Sequence, residues 1–317
     1  MSRGLATVTG ATGFLGRFLV PALVAEGWRI RVLARRDVIH PLWRDLEVEV
    51  VPGDLGDDRA LERACANADL IVHGAGLIKA RSRAEFFSVN EQGARRVAER
   101  AEGAMLLVSS LAAREPGLSD YAASKRAGEI AAQALLGDRL TIVRPPALYG
   151  PGDAETLPLF QLAAASPILP LLAPRTRMAM MHVEDAARQI AALAGREGGP
   201  TVTLSDRRPE GYGWTEVFQA AADAFGRRPR LQRVPDAVLA AVALLGAVGA
   251  RRSAPMLTFG KLRELTHPDW SVSPDEQITG LPPARFNLTD GFLHTVQGYA
   301  SSGVRFRKPP LQQAIRC

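Results

Sequence analysis

The sequence predicts an α/β protein built on a Rossmann-type doubly wound parallel sheet, with a smaller, mainly helical lobe attached. Three observations carry this. Short apolar runs alternate with helical stretches through the first half of the chain, a glycine-spaced turn joins the first run to the first helix, and after Tyr149 the texture shifts to Pro- and Gly-rich connections followed by helices. The 317 residues suit one large unit with an added lobe. Apolar residues make up 47% and charged residues 23%, a globular composition that excludes disordered, collagen-like and coiled-coil chains.

Leu5 to Thr9, Arg29 to Ala34, Val48 to Val51, Leu70 to His73, Met105 to Ser109 and Leu140 to Val143 read as strands. Each is brief, rich in aliphatic or β-branched residues, and bounded by polar or glycine punctuation. The stretches Phe14 to Glu26, Arg83 to Ala101 and Asp120 to Leu136 between them read as helices. Strict alternation of this kind argues for a parallel sheet covered on both faces. The lobe boundary falls near Gly150, making residues 1–150 the dinucleotide-binding unit and 151–317 the substrate lobe. Residues 176–206 are expected to return to the sheet, through a strand at Met178 to Met181, a helix at Glu184 to Ala194 and a strand at Thr201 to Leu204. Helices are expected at Trp214 to Phe225, Asp236 to Ala250, Met256 to Leu265 and Leu288 to Tyr299.

Charge and special residues narrow the partners. The net charge of +6 permits anionic ligands or an acidic membrane surface, and no nucleic-acid partner is expected. Cys65 and Cys317 are too few for a disulfide framework and read as unpaired thiols in a reducing compartment. The first ten residues lack a basic region followed by an apolar core, so no secretory signal is expected and the protein reads as cytoplasmic. The apolar run Ala237 to Ala250 would span about 21 Å as a helix, against a hydrocarbon core of about 30 Å, and so is too short to cross a bilayer. Arg227, Arg228, Arg230 and Arg233 precede it and Arg251 and Arg252 follow it. Such flanks suit either a core helix with solvated ends or an interfacial segment on anionic lipid, at the inner face of a membrane. His40, His73, His182, His267 and His294 show no metal-ligand spacing along the chain, and no metal is expected.

Gly10, Gly13 and Gly16 stand at G-x-x-G-x-x-G spacing between the first strand and the first helix. The first allows the tight turn, the second lets backbone approach a pyrophosphate, and the third packs helix on strand while the helix N-terminus supplies N–H donors. At the end of the second strand an acidic residue would bond the adenosine ribose, whereas an arginine would pair with a 2′-phosphate. Here Ala34 is followed by Arg35 and Arg36, which favours NADP(H), while Asp37 keeps NAD(H) open. Asp54, after the third strand, is placed either to bond the adenine amino group or to cap a turn.

Tyr121 and Lys125 lie four residues apart near a helix start, hence on one face. A tyrosine is a poor acid or base at neutrality unless an ammonium stabilises its phenolate, and Lys125 is placed to do that. Ser109 and Ser110 end the fifth strand, where open α/β sheets bind ligands and a hydroxyl can hold a substrate oxygen.

Together, Thr9-Gly-Ala-Thr-Gly-Phe-Leu-Gly16, His73-Gly-Ala-Gly76, Ser110, Tyr121-x-x-x-Lys125, Arg144-Pro-Pro-Ala-Leu-Tyr-Gly-Pro151 and Met181-His-Val-Glu-Asp-Ala186 resemble the extended short-chain dehydrogenase/reductase superfamily, which includes NAD-dependent epimerases and dehydratases. The resemblance implies catalytic roles for Ser110, Tyr121 and Lys125, and a propping role for Asn90 under the active-site helix. It places cofactor contacts on Gly10, Thr12, Gly13, Phe14, Leu15, Gly16, Arg35, Arg36, Asp54, Leu55, Ala75, Gly76, Tyr121, Lys125 and Pro145. It also implies a homodimer formed through helices beside the active-site helix. The chain departs from the sugar dehydratases in having no acidic pair after Ser110, which removes dehydration from the expected chemistry. The eleven-residue step from Ser110 to Tyr121 is shorter than in most sugar epimerases and is similar to the 3β-hydroxysteroid dehydrogenase and keto-lipid reductase side of the superfamily.

The leading expectation is an NADP(H)-dependent oxidoreductase that interconverts a ketone and a secondary alcohol on a hydrophobic substrate such as a long-chain 3-oxo lipid or a sterol-like molecule. A nucleotide-sugar epimerase with tightly held NAD and a non-catalytic nucleotide-binding scaffold stay open beside it. Arg144 and Tyr149 are candidate neighbours of the cofactor cleft, and Asp185 is expected to cap or pair rather than catalyse.

Overall fold

The computed structural model describes residues 3–35, 40–171, 173, 175–196, 198–235 and 259–311. Arg36, Asp37, the run Ala237 to Ala250, Arg251, Arg252 and Cys317 lie outside the described residues, as do positions 256–258 of one expected helix.

In chain order the strands are β1 (Leu5–Thr9), β2 (Arg29–Ala34), β3 (Val48–Pro52), β4 (Leu70–His73), β5 (Ala104–Val108), β6 (Leu140–Arg144), β7 (Ala147–Tyr149), β8 (Ile168–Leu171), β9 (Arg177–Met178), β10 (Met180–His182), β11 (Thr201–Thr203), β12 (Arg230–Arg233) and β13 (Asp269–Trp270). Seven of them form one parallel sheet in the order β11-β6-β5-β4-β1-β2-β3. β1 and β4 are buried along their whole length, as strands covered on both faces must be. The order reverses between β1 and β4, so the crevice at their carboxyl ends is the switch point where such sheets bind ligands.

In chain order the helices are α1 (Gly16–Ala25), α2 (Asp58–Cys65), α3 (Arg83–Phe87), α4 (Gly93–Ala98), α5 (Asp120–Leu136), α6 (Leu157–Ala165), α7 (Val183–Leu193) and α8 (Trp214–Asp223). Two more, Phe259–Thr266 and Leu288–Ser301, follow. Apolar side chains of α1 and α7 close one face of the sheet, with Leu19, Leu23, Val72, Ile190 and Val202 in that layer. Those of α2, α4 and α5 close the other, with Leu61, Val97, Leu107, Ala132 and Ile142. A separate aromatic core of Tyr149, Phe160, Trp214, Phe225 and Phe292 lies between α6, α8 and the last helix.

Two expected elements are divided. The stretch Arg83 to Ala101 is interrupted by one wide π turn, Ser88–Gln92, between α3 and α4. Gly128 of α5 presses on the Asn90 carbonyl there, with a Cβ at Gly128 only 2.4 Å from that oxygen. Such turns re-aim single side chains, and here the re-aimed residue is Asn90. The strand expected at Met178 to Met181 changes partner at Ala179: β9 pairs with β13, whereas β10 pairs with β7. Two helices were not foreseen. α2 is short and polar-rich, capped by Asp57 through Ala60 N, and α6 carries Pro158 in its first turn, where no donor is lost. No described helix is long and apolar enough to cross a membrane.

Candidate active site

The switch-point crevice is built from both strand ends. Thr9 Oγ1 accepts the Ala75 N–H at 3.2 Å and pairs with His73 Nδ1 at 2.7 Å, while Gly74 N donates to Thr9 O. Burial, with Lys125 adding to it, lowers the His73 pKa to about 3, so this ring is neutral. Gly10 turns the chain with φ +74, and a Cβ there would meet Ala75 N at 2.5 Å. Gly16 tolerates no side chain either, since its Cβ would lie 2.1 Å from Gly10 O. The first turn of α1 is thereby seated against the loop, where Arg17 N donates to Gly13 O and both Phe18 N and Leu19 N donate to Leu15 O.

Two observations fit a dinucleotide here. Arg17, directly after Gly16, buries its Nε without a hydrogen-bond partner, although its Nη2 donates to Gly152 O at 3.2 Å. A donor of that kind beside a glycine-rich loop suits an anion. Gly76 faces Lys125, because a Cβ there would lie 3.7 Å from Lys125 Nζ and 3.0 Å from Asn90 Oδ1. Any larger residue would fill the cradle in front of that amine.

Ser119 caps α5 through Ala122 N at 3.0 Å, which puts Tyr121 in the first turn and Lys125 one turn on. The Tyr121 phenol is hydrogen-bonded to the Ser110 side chain, and Lys125 Nζ donates to Val108 O at 2.8 Å. Ser110, Tyr121 and Lys125 thus converge at the end of β5, beside Gly76. The titration of the phenol differs from expectation. Burial pushes Tyr121 up to about 12, the Ser110 hydrogen bond pulls the other way, and the nearby Glu264 carboxylate adds to the rise. Lys125 is not among the groups that move it, so the half-buried tyrosine stands as a phenol, a proton donor, rather than a phenolate. Burial also lowers Lys125 to about 8, with Glu129 opposing that fall.

Asn90 holds this arrangement from below. Its Nδ2 donates to Ser124 Oγ and Leu77 O, and its Oδ1 accepts Leu77 N, which ties the turn after β4 to α5. Behind Lys125, Glu129 is 1% exposed and receives Ser109 Oγ at 2.6 Å, Arg144 Nε at 2.8 Å, Arg144 Nη2 at 2.6 Å and Arg126 Nη1 at 2.9 Å. Over the start of α5, the helix Phe259–Thr266 delivers Glu264, which accepts the Ser119 hydroxyl.

Other candidates lie elsewhere or serve the frame. Arg35 is exposed at the end of β2. Asp54 caps its own turn by accepting Gly56 N at 2.8 Å, and Leu55 packs on Gly93 of α4. Pro145 is buried and its carbonyl accepts Leu111 N, beside Ser110. Thr12 is exposed, and Phe14 and Leu15 are half-buried along the loop. Arg144 is the partner of Glu129, and Tyr149 lies fully buried in the aromatic core rather than at the cleft. Asp185 accepts Arg285 N and Phe286 N, so it caps backbone as expected.

Glu129, Ser124 and Glu264 escaped the sequence reading. Only Glu129 left a signal: it continues the four-residue step of Tyr121 and Lys125 along one helix face. The fold also assembles a histidine group that spacing did not show. Ligand atoms of His182, Glu184 and His294 lie within 4.8 Å of one another, with the two rings hydrogen-bonded at 3.1 Å.

Comparison with known proteins adds to the geometry. Residues 6–203 match the NAD dependent epimerase/dehydratase family. A ceramide reductase of Caulobacter vibrioides is 55% identical over 307 residues, covering 95% of this chain and 96% of that protein. Among solved structures, gox2253 superposes with a TM-score of 0.73 at 22% identity, over 94% of this chain and 98% of that one. MoeE5 in complex with UDP-glucose and NAD superposes with a TM-score of 0.68 at 20% identity, over 94% and 99%. These two likenesses speak to the fold alone.

Proposed function

The chain belongs to the NAD dependent epimerase/dehydratase family, and from that membership we propose that it is an NADP(H)-dependent reductase acting on the ketone of a long-chain, ceramide-like 3-oxo lipid. The observation that carries the reading is the 55% identity to a ceramide reductase over nearly the full length of both chains. The convergence of Ser110, Tyr121 and Lys125 supports it, as does the absence of an acidic pair after Ser110.

A bound nicotinamide supplies the hydride that passes to or from the substrate carbon. The protein's part is to hold and protonate the oxygen. Ser110 orients the carbonyl, and Tyr121, held as a phenol, delivers its proton to that oxygen as negative charge develops there. The Lys125 ammonium, within reach of the Gly76 cradle, offsets the charge left on the phenolate and would help to hold a bound dinucleotide there. His73, neutral and bonded to Thr9, adds no second positive charge at the crevice.

The preference for NADP(H) rests on Arg35 after Ala34, with no carboxylate at the end of β2. Residues 1–150 with 176–206 are assigned to the dinucleotide-binding unit, and the aromatic core, to which Tyr149 and Met180 also contribute, marks where the substrate lobe joins it. Exposed Arg228, Arg230 and Arg233 support peripheral contact with anionic lipid, and exposed Ile130 and Leu135 leave apolar surface on this side of the sheet for a homodimer through the helices beside α5.

The test is purified protein with NADPH or NADH and a 3-oxo lipid of the ceramide type, following cofactor absorbance and the lipid product. Turnover with NADPH well above that with NADH is expected. No reduction, together with stoichiometric NAD carried through purification, would replace this reading with an epimerase. Flotation with anionic liposomes checks the membrane contact, which fails if the protein stays at the bottom of the gradient.

A further inference from the structure

We propose that Glu129 is a positioning residue for this site: its buried carboxylate, one turn beyond Lys125, keeps that lysine charged inside the protein. The proposal rests on the Tyr121–Lys125 pair working as described above and adds the group that sustains it.

Two guanidiniums bind one buried carboxylate on this side of α5, and one ammonium lies a turn away. Arg144 reaches Glu129 from the end of β6 with two hydrogen bonds, Arg126 joins from the solvent edge of α5, and Lys125 lies one turn away on the same helix. Ser109, at the end of β5, completes the set by donating to Oε1. Among the described residues, the other groups named beside Lys125 carry no negative charge: the Val108 carbonyl accepts its proton, His73 from β4 is neutral, Asn90 is an amide, and Tyr121 is a phenol. Glu264 lies toward Tyr121 rather than on this side. Glu129 is therefore the carboxylate that offsets the desolvation of Lys125, in agreement with the upward pull it exerts on that amine.

The chemistry of the three cations makes the role testable. A guanidinium stays protonated under all working conditions, whereas an ammonium can shed its proton. If the carboxylate is neutralised, Arg144 and Arg126 remain charged and Lys125 gives way. Loss of Glu129 charge is thus read out at Lys125, and the pH at which it acts must move downward. The exposed Arg126 carries the opposite sign: without it the field of Glu129 on Lys125 is less compensated, and the titration moves upward.

The experiment follows the Lys125 side chain directly by NMR of 13C-labelled lysine in the full chain, which has only four lysines, Lys79, Lys125, Lys261 and Lys308. Lys125→Met identifies the resonance. In Glu129→Gln the midpoint is expected to fall by a pH unit or more, and the upper limb of kcat/KM for ketone reduction falls with it, a loss of about fivefold or more at pH 8 that recovers toward pH 6. Arg126→Gln, at an exposed position, is expected to raise the midpoint and keeps the proposal testable if Glu129→Gln does not fold. Glu129→Asp retains the charge and should retain the parent pH profile at a reduced rate. An unmoved midpoint in Glu129→Gln or Arg126→Gln, or a rate that drops by one factor at every pH, overturns the positioning role. The NMR titration needs no substrate, so moved midpoints in a protein that reduces no ketone would sink the proposed function and leave this inference standing.

Discussion

Two buried histidines, His73 and His182, have the same titration and opposite surroundings. Both are at most 1% exposed, and burial lowers both to a pKa of about 3. His73 stands where glycines replace side chains, with Gly74 and Gly76 exposed on the crevice side and the Lys125 ammonium facing it. His182 is enclosed by rings: Phe286 stacks on it at 4.0 Å, Tyr149 meets it edge-on at 5.5 Å, and His294 bonds its Nε2. Its Nδ1 accepts Glu184 N at 3.3 Å, which caps α7. A depressed histidine therefore marks burial, and only the open backbone beside His73 marks a place for a ligand.

The largest break in that contrast comes from Tyr121→Phe. Turnover should fall by about 10²–10⁴-fold while dinucleotide binding, measured by fluorescence titration, stays at the parent level. Unchanged turnover would move the chemistry away from the His73 side. Gly10→Ala comes next, because its Cβ meets backbone at 2.5 Å and L residues are strained at φ +74. Dinucleotide affinity should drop at least about tenfold and stability by roughly 1–3 kcal/mol, read by calorimetry.

Lys125 links activity to stability. Its folded-state pKa of about 8 lies below the free value of 10.5, so the fold is held back by the buried charge below pH 8 and gains stability as pH rises from there toward 10.5. Two outcomes are expected. kcat/KM for ketone reduction should decline above about pH 8, where the ammonium is lost, and Lys125→Met, although inactive, should be more stable at pH 7 by roughly 2 kcal/mol. A Lys125→Met protein that melts below the parent would contradict the second. The smallest effects belong to the enclosed histidine. His294→Gln should lower stability by about 1 kcal/mol and leave turnover alone, and a chelator should change neither melting temperature nor rate. A chelator-induced drop in melting temperature would turn the His182, Glu184 and His294 group into a metal site and redraw the comparison.

The parts of the site legible in advance were those encoded within one turn or one loop. Gly10, Gly13 and Gly16 declare themselves by spacing because a loop against a pyrophosphate needs backbone without side chains. Tyr121 and Lys125 do so because a helix returns to the same face every four residues. The six strands expected from Leu5 to Val143 stand within a residue of those observed for the same reason, as local alternation marks them. The division of Arg83 to Ala101 was not legible, because the turn at Asn90 answers to Gly128, far along the chain. Arg144 looked like a cleft residue until β6 brought it to Glu129, and Tyr149 until the last helix covered it.

Local periodicity and backbone sterics, written in neighbouring residues, were enough to establish a parallel α/β sheet, a glycine loop between its first strand and first helix, and a tyrosine, lysine and serine at one strand end. The charge on Lys125, the phenol state of Tyr121 and the closure of His182 were decided only on folding. Each depends on how deeply a group is buried, and the last two also on partners, Glu264 and His294, that lie more than a hundred residues away. Desolvation and Coulomb forces act through space, and chain spacing does not record them.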